Sequence, residues 1–188
     1  MLALLAHFAV TVKVSALPSV RPFVRDEWQT YRALRLRSLI DSPGSFGSTL
    51  EHEQRKSDRH WSERLGSGTV SDLDCPLIAE AASAPVGLAW GRIHASDPHT
   101  AYVYQMWVDP GSRDLGLGRM LLEALVAWAT AASAREVRLG VTVGNDAATR
   151  LYTRAGFLPV GQPEPLRPGS HLRSQSMRLD LGARRSID

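Results

Sequence analysis

The stretch Tyr104–Leu125, YQMWVDPGSRDLGLGRMLLEAL, constrains the chain more than any other. A strand pattern runs to Val108 and stops at Asp109-Pro110-Gly111, because proline cannot donate to a ladder and restricts the residue before it. Glycines at 116 and 118 then open a helix in which Leu117, Leu121, Ala124, Leu125 and Trp128 form one apolar stripe. Glycine there permits positive φ and lets another group approach the backbone. The first turn of a helix presents unpaired N–H groups and a partial positive charge. Together these features make a cradle for a pyrophosphate, with Arg113 and Arg119 adding donors at its rim.

The rest of the chain supplies a sheet for that helix. Ser19–Val24 reads as a short strand, at an edge because of Pro22. Asp26 is placed to cap a helix reaching Ile40, with Trp28, Tyr31, Leu34 and Leu39 on one face, broken by Asp41-Ser-Pro-Gly44. Thr49–Leu65 has helical but polar spacing, divided near Ser57 and ended by Gly66-Ser-Gly68. Strands follow at Leu77–Ala82, Leu88–His94 and Ala101–Val108, joined at Ala84-Pro-Val-Gly87 and Ser96-Asp-Pro-His99. The glycine-led helix spans Leu117–Ala134, and a strand at Val137–Val143 comes next. A helix over Asn145–Ala155 is capped by Asn145, with Gly156 in the left-handed position after it. Phe157–Val160 is strand-like, Gln162–Gly169 is a proline-rich loop, and Gln175–Leu181 is a last strand. This order predicts one α/β (α+β) domain over residues 18–182. Its centre is a mixed, mostly antiparallel sheet of about seven strands flanked by about four helices. Residues 1–17 are an extension, an extra strand or a disordered segment, and 183–188 a frayed tail.

Composition excludes several classes. With 44% hydrophobic and 22% charged residues in 188, the chain is globular. Its net charge is +3, and the arginines behind it are scattered rather than gathered in a stripe, so no nucleic-acid partner is expected. No apolar run approaches the ~20 residues that span a bilayer. The apolar decamer MLALLAHFAV has no charge before it, unlike a signal peptide, and a cytoplasmic protein is expected. Cys75 is the single cysteine and the histidines lack ligand spacing, so no metal is expected.

A P-loop would need Gly-Lys-Ser/Thr, and a dinucleotide fingerprint a third glycine; neither is present. The spacing R-x-x-G-x-G at 113–118, after Met-Trp-Val-Asp-Pro, resembles motif A of the GNAT acyl-CoA N-acetyltransferases. Leu139–Gly161 resembles motif B, N-x-x-A-x-x-L-Y-x-x-x-G-F, through Asn145, Ala148, Leu151, Tyr152, Gly156 and Phe157. WQTYRALRLRSLIDSPGSFGST looks like the family's first helix and loop, so the resemblance covers Val20 to Leu181.

The resemblance implies a GNAT-like fold and acetyl transfer from acetyl-CoA, a cosubstrate, to a small-molecule or peptide amine in a ternary complex. It implies that Met106, Trp107 and Val108 pair through their backbone with the pantetheine arm. Arg113, Asp114, Leu115, Gly116, Leu117, Gly118 and Arg119 would hold the pyrophosphate. Asn145 would bond a cofactor carbonyl besides capping its helix. Tyr152 aligns with the general acid beside the sulfur. Its phenol, with an ordinary pKa near ~10, is protonated at neutral pH. Its other reading is a core tyrosine bonded to backbone. Asp114 departs from the pattern, since a carboxylate repels phosphate. The family's usual base is also missing: the strand offers Tyr102, Tyr104 and Gln105 instead, and Glu51, Glu53, Glu80 and His94 are the other candidates. A CoA-binding module without turnover is the alternative reading. The first helices, the Asp41–Thr49 loop and the Gln162–Gly169 loop would set the acceptor, and a homodimer is open.

Overall fold

The computed structural model describes residues 17–182; the expectations for 1–16 and 183–188 lie outside them. Seven strands form one sheet: β1 (Ser19–Pro22), β2 (Asp74–Ala81), β3 (Ala84–His94), β4 (Asp97–Val108), β5 (Glu136–Thr142), β6 (Leu158–Pro165) and β7 (Arg173–Asp180). Their spatial order is β1-β2-β3-β4-β5-β7-β6, and only the β4–β5 pair is parallel. The helices are α1 (Trp28–Asp41), α2 (Leu50–Gln54), α3 (Asp58–Gly68), α4 (Leu117–Ala131) and α5 (Asp146–Arg154). That is five α-helices among the described residues, in line with the expected handful and with the division near Ser57. The polar 50–68 stretch makes two of them, with Ser57 capping α3 by accepting from the His60 amide.

The sheet carries a core on each face. On one, Leu117, Leu121 and Leu125 of α4 pack on Leu77, Ala89, Val103 and Val137, and α5 joins through Tyr152. On the other, Tyr31 and Leu34 of α1 and Trp61 and Leu65 of α3 cover Ile78, Leu88, Trp90 and Trp107. Each such side chain contributes roughly 1.5–3 kcal/mol by leaving water.

Several local expectations are corrected. Asp26 does not cap α1; it sits inside a 3-10 turn, Arg25–Glu27, where Glu27 Oε2 accepts from the Val24 amide. The helix runs past Leu65 and stops at Gly68, where a Cβ would lie 2.4 Å from the Trp90 ring. That glycine serves close packing at the helix end. The β2–β3 turn falls at Ala82 and Ser83, with φ of 49° and 63°, not at Ala84–Gly87, which is strand. Two positive φ angles suit a two-residue hairpin turn, normally an Asn or Gly position, so the composition misplaced it. The proline-rich segment is strand as far as Pro165.

Candidate active site

β4 and β5 pair only from Thr100↔Glu136 to Val103↔Leu139. Beyond that point β5 stays with β7, through Gly140↔Ser176 and Thr142↔Ser174, while β4 stays with β3 through Trp107↔Leu88 and Val108↔Gly87. The edge of β4 at Tyr104–Val108 is therefore free on the side where the strands part. A bulge accompanies the parting: Gln105 has φ 56°, and the β3 register slips between Leu88 and Trp90. The extra residue leaves Tyr104 and Trp107 on one face, opposite Trp90 and Leu88. Met106 packs against the α4 core on the other face.

A cleft of about 1180 Å³ runs through the gap, bordered by α4 and α5 on one side and by Ser42, Ser45 and Phe46 after α1 on the other. At its α4 end Asp109 accepts from the Gly111 amide and starts a 3-10 turn, Pro110–Leu115, which ends at Gly116 with φ 76°. Gly116 is also the N-cap of α4, and no side chain caps that helix. Its first N–H groups are left to whatever occupies the cleft. A Cβ on Gly116 would meet nothing within 4 Å, and one on Gly118 only Leu151 at 3.5 Å. The open backbone thus faces space rather than protein, which suits a pyrophosphate.

The basic side chains are arranged differently from the expectation. Arg113 borders the cleft, but its guanidinium is tied to Asp41 at the end of α1, and its Nε donates to the Val108 carbonyl at 3.1 Å. Asp41 also accepts from the Trp107 indole at 2.9 Å. Burial opposes ionisation of Asp41, but hydrogen bonds from Ser42 and Trp107 and the Arg113 charge hold its carboxyl below the usual range. Arg119 pairs with Glu123 one turn on, at 2.7 Å. Asp114 is exposed at the cleft and makes no ion pair among the described residues. Arg150 and Arg154 of α5 also border the cleft. Sequence reasoning missed this pair and Asp41; the signal for the arginines was their one-turn spacing on the helix that carries the tyrosine. Leu115 is exposed beside the loop, and Leu117 is fully buried beneath it.

Asn145 accepts from the Ala148 amide at 3.2 Å, the expected cap, and lies on the cleft wall. Tyr152 is buried, and its hydroxyl reaches Met106 Sδ at 3.8 Å with no backbone partner. Burial pushes its phenol up to about 12, so it holds its proton across the working range. A bond to backbone, the structural reading of Tyr152, is not what the hydroxyl makes. None of Glu51, Glu53, Glu80 or His94 lines the cleft. Glu80 is held by Arg21, Glu51 by Arg55, and Glu53 is buried 3.7 Å from Arg64.

Comparison with known proteins follows the same lines. Residues 28–157 match the model of the Acetyltransferase (GNAT) family. The chain is 34% identical over 137 residues to a mycothiol acetyltransferase of Thermobispora bispora, a match covering 71% of this chain and 43% of that protein. It is 35% identical over 143 residues to the mycothiol acetyltransferase of Actinosynnema mirum, covering 76% and 44% respectively. The chain thus spans less than half the length of these curated relatives. Among solved structures, the putative acetyltransferase yncA from Salmonella typhimurium, with its cofactor acetyl-CoA, superposes with a TM-score of 0.73 at 18% identity. That match covers 88% of this chain and 95% of the other, and shows the shared fold.

Proposed function

Because the chain belongs to the acetyltransferase (GNAT) family, we propose that it transfers an acetyl group from acetyl-CoA to a primary amine of a small molecule or peptide, by direct attack in a ternary complex. The observation that carries this reading is the cleft where β4 and β5 part. It brings an uncapped helix N-terminus, a free strand edge and a proton-holding tyrosine to one place. Acetyl-CoA supplies an activated acetyl thioester. The opening N–H groups of α4 and the arginines of α5 hold its phosphates, and the free edge of β4 at Met106–Val108 hydrogen-bonds its arm. Tyr152 donates its proton on the Met106 side, where sulfur departs. An acyl-enzyme on cysteine is disfavoured. Cys75 lies off the cleft, and burial, aided by the Asp74 charge, pushes its thiol up to about 11.

The engagement of Arg113 by Asp41 and the unpaired Asp114 favour a second reading, a CoA-binding module without turnover. A screen of primary amines with acetyl-CoA separates the two. Transfer predicts sustained thiol release above the hydrolysis background, with an acetylated product by mass spectrometry. Binding without such release in any amine would favour the module.

A further inference from the structure

The structure leaves open where the acceptor amine sends its proton, and one pair of side chains joins the cleft to a titratable group. Tyr104 borders the cleft and is 41% exposed; its hydroxyl lies 3.1 Å from His94 Nε2. Tyr104 projects from the sheet face shared with Trp90 and Trp107, whereas Tyr152 meets Met106 on the α4 face. A proton donor and a proton acceptor thus stand on opposite faces of the sheet, which keeps the group that takes the amine proton apart from the one that protonates the thiolate.

Resting on the acetyl-transfer reading above, we propose that Tyr104 and His94 form the proton exit for the acceptor amine, with Tyr104 Oη taking the amine proton while its own passes to His94 Nε2. The amine N–H bond breaks and an O–H bond forms at Tyr104. The former Tyr104 O–H breaks and an N–H forms at His94, giving an imidazolium. On the other face Tyr152 protonates the departing sulfur. His94 then gives its proton to water and Tyr152 regains one, so the net change is amine plus thioester to amide plus thiol. The relay needs both partners. Burial keeps the Tyr104 phenol above its ordinary value, offset only in part by Arg92, so it does not act as a free tyrosinate. His94 must be neutral, with its proton on Nδ1.

His94 lies among aromatic and paired charged groups. The Tyr102 ring meets it edge-on at 5.2 Å, and Tyr102 donates to Asp97, the residue opposite His94 in the hairpin. Arg92 on β3 is bonded to Asp74 at 2.7 Å, and Arg138 on β5 to Glu136 at 2.5 Å. Both guanidiniums are therefore paired with carboxylates, Glu136 being shared with Arg178.

Two measurements on the full chain decide the proposal. Long-range 1H–15N spectra at pH 8 read the His94 tautomer, and the Nδ1–H form is expected. Kinetics with acetyl-CoA use a panel of spermidine, ethanolamine, glucosamine and an alanine-initiated peptide. His94→Gln and Tyr104→Phe should each lower kcat by about 10- to 100-fold with KM for acetyl-CoA unchanged. The double variant should fall no further, because the two act as one unit. An Nε2–H tautomer, or an active parent whose single variants stay within twofold, overturns the relay alone. A parent that releases no CoA with any of the four amines overturns the transferase reading and the relay with it.

Discussion

The α4 mouth of the cleft is made of backbone, and the α1 mouth of side chains from distant segments. At the first, Gly116 and Gly118 leave bare peptide groups facing open space at an uncapped helix start. At the second, Arg167 of the proline-rich segment donates to the Phe46 carbonyl at 3.0 Å, Thr142 of β5 donates to the Gly44 carbonyl at 2.8 Å, and Leu172 packs where a Cβ on Gly44 would sit. Backbone recognition suits a constant ligand, since it needs only glycine and helix geometry. A clasp of side chains suits a variable one, because each residue of the clasp can change without disturbing the fold. Asp41 joins the two mouths, since it bonds both Trp107 of β4 and Arg113 of the 3-10 turn before α4.

If that division is right, damage at one mouth should leave the other alone. The largest effect is expected from Gly118→Val. The only protein atom near the new Cβ is Leu151 at 3.5 Å, an ordinary contact, so the fold should hold within ~1 kcal/mol. The branched side chain instead occupies the approach to the helix N-terminus. The dissociation constant for acetyl-CoA should rise about 100-fold by calorimetry, close to ~3 kcal/mol, with the acceptor KM unmoved.

Tyr152→Phe comes next. It should lower the single-turnover rate by about 100-fold, the weight of a positioned acid, and leave acetyl-CoA affinity intact because the ring still packs. Burial raises this phenol to about 12, so the parent should show no loss of rate from Tyr152 ionisation as pH climbs to 10. A structural tyrosine would give the reverse, lower stability and near-normal turnover.

Arg167→Ala cuts the clasp and should raise the acceptor KM by roughly 10-fold while acetyl-CoA affinity stays put; equal losses at both mouths would erase the division. The smallest effect belongs to Asp41→Asn. The amide can still accept from Trp107, but Arg113 loses its counter-charge and is freed for phosphate. Acetyl-CoA affinity should tighten by about threefold at low salt and less at high salt.

The same contrast explains what could be read in advance. The α4 mouth is local in the chain. The strand, Asp-Pro stop, glycines and amphipathic stripe lie within Tyr104–Leu125, and Asn145 to Phe157 carry their own cap and left-handed glycine. Short-range rules suffice there. The α1 mouth rests on pairs 98 and 121 residues apart, Thr142 with Gly44 and Arg167 with Phe46, and no local pattern announces them. Two other misses are tertiary overrides. Gln105 takes a positive φ that glycine would ordinarily hold, so the bulge that sets Tyr104 and Trp107 on one face had no signature. Gly66 looked like the start of a helix stop, but the helix reaches Gly68, where Trp90 packs against it. Arg113 borders the cleft, and only the fold reveals the Asp41 carboxylate that engages it.

Titration of the 15N-labelled chain with acetyl-CoA, followed through backbone amide shifts, tests the central claim most directly. The account predicts saturable one-to-one binding, with the largest shifts at Gly116–Arg119 and Met106–Val108, at the helix start and the free strand edge. No binding at millimolar acetyl-CoA, or shifts confined to α1 and the Asp41–Thr49 loop, would contradict it.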